Sequence, residues 1–311
     1  MTPILVTGAA GQLATALARA GGARVQCIGR PELDLVRPDT LARAMRRVRP
    51  GLVVNAAAWT AVDAAEADPG AAARANADGP AALAALCAEA RIPLIHVSTD
   101  YVFDGTKGAP YTEDDPVNPT GVYGITKLAG ERAVLAAQPC ATVLRTSWLY
   151  SAAGRNFVRT MLDAARTRDQ LRVVADQRGC PTAADDLASA ILAAARRIGA
   201  DWRDEYAGVF HAAGEGWTTW HGLAAAVFQE AARHGRPVPA LDAISTAEWP
   251  TPARRPPDSR LDCGKLARVF GLRLPPWRES LARVVDEVLG ASVPDQKFVS
   301  VGRRAADRSA R

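Results

Sequence analysis

Ile4-Leu5-Val6-Thr7-Gly8-Ala9-Ala10-Gly11-Gln12-Leu13-Ala14 is the stretch on which the fold turns. Three apolar residues suited to a strand run into two spaced glycines, and Gln12 to Ala20 then reads as a helix. A strand without polar alternation is buried on both faces, as in a parallel sheet. A glycine turn between such a strand and a helix lets backbone N–H groups meet an anion at the helix N-terminus. Gly8 supplies the turn and Gly11 the close approach, while Ala14 stands where a third glycine is usual. Ordinary turns share this pattern, so its weight comes from what surrounds it.

Outward from that turn the pattern repeats. Val25 to Ile28, Leu52 to Asn55, Pro93 to Val97 and Thr142 to Arg145 read as strands. Thr40 to Val48, Ala71 to Ala90 and Gly124 to Ala137 read as helices between them. The expectation is an α/β fold, a doubly wound parallel (Rossmann-like) sheet whose ligands bind beyond the C-terminal strand ends. After about Ser151 the alternation becomes irregular. We expect a nucleotide-binding domain over 1–150 and a smaller substrate-binding lobe mainly over 151–290, with some chain returning to the first domain. Ala207 to His211 and a helix from Leu223 to Ala232 belong to that second segment, and Pro250 to Asp258 reads as an ordered loop. Residues 291–311 lack periodicity and read as a flexible tail.

Composition narrows the function. The 311 residues are 48% hydrophobic and 23% charged, ordinary for a globular protein, with a formal charge of +5. That mild excess suits an anionic small ligand, and no basic run argues for nucleic acid. Cys27, Cys87, Cys140, Cys180 and Cys263 show no CxxC spacing, so a reducing compartment is expected and a structural zinc is not. His96, His211, His221 and His234 are isolated, and no metal is expected. Without a leader or a long apolar stretch, the chain reads as cytoplasmic, away from membranes.

The candidate site residues gather at strand ends. After the second strand, Arg30 occupies the place where an acidic residue would bind a ribose hydroxyl. A guanidinium there suits a 2′-phosphate, which favours NADPH and leaves NADH open; alone, Arg30 also reads as a surface arginine. Asp34 either accepts from an adenine amine or caps the next helix. Ala56-Ala57-Ala58 after the third strand either leave room for a ligand or simply pack tightly. Ser98-Thr99-Asp100 closes the fourth strand, and Tyr123 and Lys127 share one helical face at i and i+4. A nearby ammonium is expected to lower the Tyr123 phenol toward the working pH, making it a proton donor to a carbonyl oxygen. Lys127 can also bind the nicotinamide ribose, and Thr99 can hold the substrate oxygen. Arg254 and Arg255, in the Pro-rich loop, either clamp a diphosphate or are solvated. Trp217, Trp220, Trp249 and Trp277 read mainly as packing of the smaller lobe, and Val6-Thr7 and Asp63-Ala64-Ala65-Glu66 as residues that hold the fold.

These residues resemble the extended short-chain dehydrogenases and, within them, the dTDP-4-dehydrorhamnose reductase family. The resemblance runs from Ile4 to about Leu289. It includes Asn55 to Asp63, Ser98 to Gly105, Leu144 to Trp148, Asp176-Gln177-Arg178-Gly179-Cys180-Pro181-Thr182, Ala253-Arg254-Arg255-Pro256 and Leu274-Pro275-Pro276-Trp277. The Asp-Gln-x-Gly-x-Pro-Thr and Ala-Arg-Arg-Pro segments are the most specific to it. The resemblance implies Tyr123 as proton donor, Lys127 as its partner and a cofactor ligand, and Thr99 as tuning the transfer. It implies Thr99, Asp100 and Trp148 against the sugar, and Gly11, Gln12 and Leu13 on the cofactor pyrophosphate. Asp34 and Leu35 would meet the adenosine part, and Ala58, Trp59 and Thr60 the nicotinamide side. The implied reaction is NADPH-dependent reduction of the C4 ketone of dTDP-4-dehydro-6-deoxy-L-mannose to dTDP-L-rhamnose. The alternatives are another dTDP-ketosugar of antibiotic assembly, such as the dihydrostreptose precursor, or a non-catalytic subunit of a methionine adenosyltransferase. Some members pair through a metal held by helix glutamates. The first helix here has no Glu, so a monomer or weak homodimer is expected.

Overall fold

The computed structural model describes residues 2–290; the expected flexible tail lies outside the described residues. The first half builds β1 (Ile4–Thr7), α1 (Gln12–Gly21), β2 (Val25–Ile28), α2 (Pro38–Val48), β3 (Leu52–Asn55), α3 (Val62–Ala67), α4 (Pro69–Ala73), α5 (Gly79–Glu89), β4 (Leu94–Thr99), α6 (Val122–Ala137) and β5 (Thr142–Thr146). The second half builds β6 (Leu149–Tyr150), α7 (Phe157–Ala164), β7 (Gln170–Val174), β8 (Arg178–Gly179), β9 (Thr182–Ala183), α8 (Ala184–Ala200), β10 (Gly208–His211), β11 (Thr218–Thr219), α9 (Trp220–Arg233), β12 (Ala240–Ile244), α10 (Gly264–Phe270) and α11 (Trp277–Gly290).

Six parallel strands form the central sheet in the order β2-β1-β3-β4-β5-β10. Strand side chains alternate between faces, and the core follows that alternation. Ile4 and Val6 pack with Leu17 of α1, Ile191 of α8 and Phe270 of α10, while Leu5 packs with Leu41 of α2, Leu83 of α5 and Val134 of α6. The chain leaves β1 toward β2 on one side and returns to β3 on the other, so a crevice opens beyond their C-terminal ends.

The segment 151–290 divides between the two bodies. β10 is the edge strand of the sheet, in register with β5 from Gly208 opposite Thr142, and α8 covers the sheet beside α1. α7, α9 and α11 pack with β7 around Val158, Phe228 and Leu281 to make the smaller lobe. No helix among the described residues is long and apolar enough to cross a membrane.

The expected long helix from Ala71 to Ala90 is present as α4, a π-helical turn over Arg74–Asp78, and α5. Pro80 has no N–H to give the carbonyl of Asn76 four residues earlier. That carbonyl instead lies against Gly130 of α6, where a Cβ would come within 1.9 Å of it. Such turns commonly mark functional positions.

Candidate active site

A cleft of about 1390 Å³ runs across the C-terminal ends of the sheet strands. At one end lies the glycine turn. Gly8 has φ +82° and accepts a contact that a side chain would block, since its Cβ would lie 3.1 Å from Ala57 Cα. Ala57, the middle of the three alanines after β3, therefore lies against the turn after β1. α1 has no acidic residue in its first turn and no side-chain cap, so its N-terminal N–H groups stay available to an anion. The cradle fits a dinucleotide pyrophosphate.

Gly8, Gly11, Gln12, Leu13, Arg30, Asp34, Leu35, Ala58, Trp59 and Thr60 all line this cleft. Arg30 is exposed there, beside Arg47 and Arg74, two further arginines of the lining. Nothing in the sequence separates those two from solvated helix arginines. Asp34 does not cap α2, whose N-cap is Arg37 without a side-chain bond; its carboxylate instead accepts from Val36 N at 3.1 Å in the turn before the helix. Trp59 is held by a residue the sequence reading missed. Asn76, fully buried, accepts from Trp59 N at 2.8 Å and donates to Trp59 O at 3.1 Å and to Thr126 Oγ1 at 3.1 Å.

At the other end, β4 delivers Thr99 and Asp100, and the start of α6 delivers Tyr123 and Lys127, all on the same cleft. Glu66 fixes that helix start by accepting from Val122 N at 2.8 Å. Tyr123 is half-buried, stands edge-on to Tyr101 at 5.8 Å, and shares the cleft with the Thr99 hydroxyl. Its phenol is pushed up to about 12, by burial first, against the lowering effect of Thr99 and with a further rise from Asp100. The expected lowering by Lys127 is therefore corrected. The Lys127 ammonium is itself buried, donates to Val97 O at 2.7 Å, and is brought down to about 8 by loss of water, opposed by Glu131. Burial is the first cause of both shifts.

Asp100 is buried and raised to about 6 by desolvation, although it is hydrogen-bonded by Ser259, by Ser147 at 2.9 Å and by Thr99 at 3.1 Å. Beneath these groups Glu131 and Arg145 form a buried ion pair at 2.7 Å, and Ser98 donates to the same carboxylate at 2.5 Å. Ser147 and this pair were not singled out from sequence, because their partners lie 47 and 14 residues away.

Trp148 also lines the cleft, in a left-handed conformation with φ 45° that non-glycine residues seldom adopt. Its ring stacks on Trp220 with centroids 3.5 Å apart. The Asp176 to Thr182 segment exists around that stack. Gly179 lies under the Trp148 ring, where a Cβ would come within 2.3 Å, and Gln177 accepts from Trp220 Nε1 at 3.1 Å. Trp277 is buried, while Trp217 and Trp249 are exposed, so only part of the tryptophan set packs the lobe.

Arg254 and Arg255 are not brought to this cleft lining. Arg254 is exposed, and Arg255 donates to Asp63 at 2.9 Å. Asp63 and Glu66 thus tie other segments together, as expected of residues that hold the fold. His96 is buried and kept neutral by desolvation, with Asn55 on its Nδ1 at 3.0 Å. No cluster of potential metal ligands occurs among the described residues.

Known proteins resemble this chain in sequence and fold. A dTDP-4-dehydrorhamnose reductase of Sinorhizobium fredii is 48% identical over 285 residues, 91% of this chain and 96% of that protein. A probable dTDP-4,6-dihydroxy-2-methyloxan-3-one 4-ketoreductase of Streptomyces antibioticus is 43% identical, covering 93% of this chain and 97% of that protein. The crystal structure of dTDP-4-dehydrorhamnose reductase from Bacillus anthracis in complex with NADP superposes with a TM-score of 0.84 at 30% identity, covering 92% and 99% of the two chains. The family described as the RmlD substrate binding domain matches residues 1–289. With that match over nearly all the described residues, the chain belongs to the dTDP-4-dehydrorhamnose reductase (RmlD) family.

Proposed function

We propose that this protein is an NADPH-dependent oxidoreductase that reduces the C4 ketone of dTDP-4-dehydro-6-deoxy-L-mannose to dTDP-L-rhamnose. The observation that carries the reading is Thr99 at the end of β4 and Tyr123 and Lys127 at the start of α6, on the same cleft as the glycine turn after β1. When bound, NADPH supplies the hydride that the carbonyl carbon accepts.

The protein's part is to place and protonate. Tyr123, protonated at neutral pH, holds the proton that the C4 oxygen takes up as it becomes an alkoxide. Thr99 orients that phenol through its hydroxyl. Negative charge then develops on Tyr123 Oη, and Lys127, one helical turn along α6, is the cation on that face. Asp100 and the Trp148–Trp220 stack border the space left for the sugar. Gly11, Gln12 and Leu13 receive the cofactor pyrophosphate, and Arg30 its 2′-phosphate.

We place the enzyme in the cytoplasm, where its five free cysteines stay reduced, and as a monomer or weak homodimer. The test is loss of NADPH absorbance with enzymatically generated dTDP-4-dehydro-6-deoxy-L-mannose, run beside NADH, with the product identified by NMR. Turnover to dTDP-L-rhamnose, faster with NADPH, is expected. NADPH binding without turnover, but with reduction of a different dTDP-ketosugar, would replace the substrate and keep the reaction class.

A further inference from the structure

The second lobe sends one loop, residues 151–156, back to the nucleotide-binding turn. Gln12, the first residue of α1, accepts at Oε1 from Ser151 Oγ and from Asn156 Nδ2, both at 2.9 Å. The loop is also closed on itself. Ser151 Oγ lies 2.6 Å from Ala153 O, Asn156 Nδ2 donates to Ser151 O at 2.8 Å, and Asn156 Oδ1 caps α7 through Arg159 N at 3.1 Å. Gly154 has φ +75°, and a side chain there would come within 3.3 Å of Gln12 Cγ. The loop is therefore built to lie against the residue that opens α1.

Two arginines belong to this loop and its helix, and they differ. Arg159 donates to Ala152 O at 2.7 Å and helps to hold the loop closed. Arg155 lines the cleft, is exposed, and has no hydrogen-bond or ion-pair partner among the described residues. A rigid loop that presents one uncommitted guanidinium beside a helix N-terminus is suited to an anion held by both.

We propose that Arg155 binds the diphosphate of the dinucleotide from the side opposite the α1 N-terminus, making loop 151–156 a clasp that couples cofactor binding to the smaller lobe. This rests on the NADPH reading above. The loop that carries Arg155 is held by the bonds among Gln12, Ser151 and Asn156 before the ligand arrives, so binding has only the exposed side chain to order.

The experiment measures Kd values of the full chain and of Arg155→Ala for NADPH, for adenosine 2′-phosphate, which lacks the diphosphate, and for dTDP. Arg155→Ala is expected to weaken NADPH by about tenfold, the scale of one charge-assisted hydrogen bond near solvent, and to flatten the salt dependence of binding. Adenosine 2′-phosphate and dTDP should bind the variant as they bind the parent, which a general disturbance of the cleft would not allow. Arg155→Lys should recover part of the NADPH affinity. An unchanged NADPH Kd, or a loss confined to dTDP, would overturn the proposal. Failure of the parent chain to bind NADPH at all would instead remove the cofactor reading on which it rests.

Discussion

The two ends of the cleft are built on opposite physical terms. At the end of β4, polar groups are buried and tied to one another: Thr99, Asp100, Ser147 and Lys127 sit above the Glu131–Arg145 pair. At the end of β2, Arg30, Arg47 and Arg74 stand in solvent. Chemistry on a carbonyl needs groups fixed in low dielectric, where hydrogen bonds are strong and displacement costs rate. Holding a charged nucleotide needs only charge nearby, and water may share the site. Damage at the buried end should therefore appear in turnover and folding, and damage at the exposed end in affinity alone.

The largest expected effect is at Tyr123. Tyr123→Phe removes the proton donor and should lower kcat by about 10²–10⁴-fold, with NADPH Kd nearly unchanged in equilibrium titration. Full activity in that variant would break the assignment. Next comes the pair beneath: Glu131→Gln leaves the Arg145 charge buried without its partner, and stability should drop by about 3–5 kcal/mol in urea unfolding. A drop within ~1 kcal/mol would mean that the two ends are equally tolerant and the comparison is empty.

At the exposed end, Arg30→Asp should shift the NADPH-to-NADH ratio of kcat/KM by about tenfold toward NADH with no change in melting temperature. No shift would mean that the 2′-phosphate lies elsewhere, with Arg47 and Arg74 the next to test. The smallest effect is in pH. Lys127 loses its proton near 8 while Tyr123 keeps its own to about 12. The cation that supports the developing phenolate is thus lost as pH rises, and kcat should fall to about half near pH 8. A falling limb only above pH 10 would remove Lys127 from that role.

What the sequence disclosed follows the same division between near and far. The apolar strands, the Gly8–Gly11 turn and the Tyr123–Lys127 spacing are local patterns, and each has a local physical reason. The Asp176 to Thr182 segment was recognisable, but its purpose was not. Gly179 is small because Trp148 lies over it, and that contact joins β8 to the link between β5 and β6. Asn76 and Trp59 are 17 residues apart, and the turn that brings them together depends on Pro80 and on Gly130 of a different helix. Arg255 meets Asp63 across 192 residues, a pairing that no spacing announces. The Tyr123 phenol went the opposite way from expectation because burial depth, which decided it, is a property of the whole cleft.

The insertion of β10 beside β5 has a consequence for anyone handling the protein. A fragment ending at residue 150 would hold the glycine turn and the Tyr123–Lys127 pair, yet would leave β5 as a raw edge open to pairing with other chains. It would also strip α8 from the sheet face carrying Ile4 and Val6 and from Leu17 of α1. The smaller lobe's core comes entirely from residues 148 onward, but the sheet's core draws on α8 and α10 of the second half, so the first half alone lacks part of its packing. Residue 150 marks a change in the rhythm of the sequence, and it is a poor place to cut.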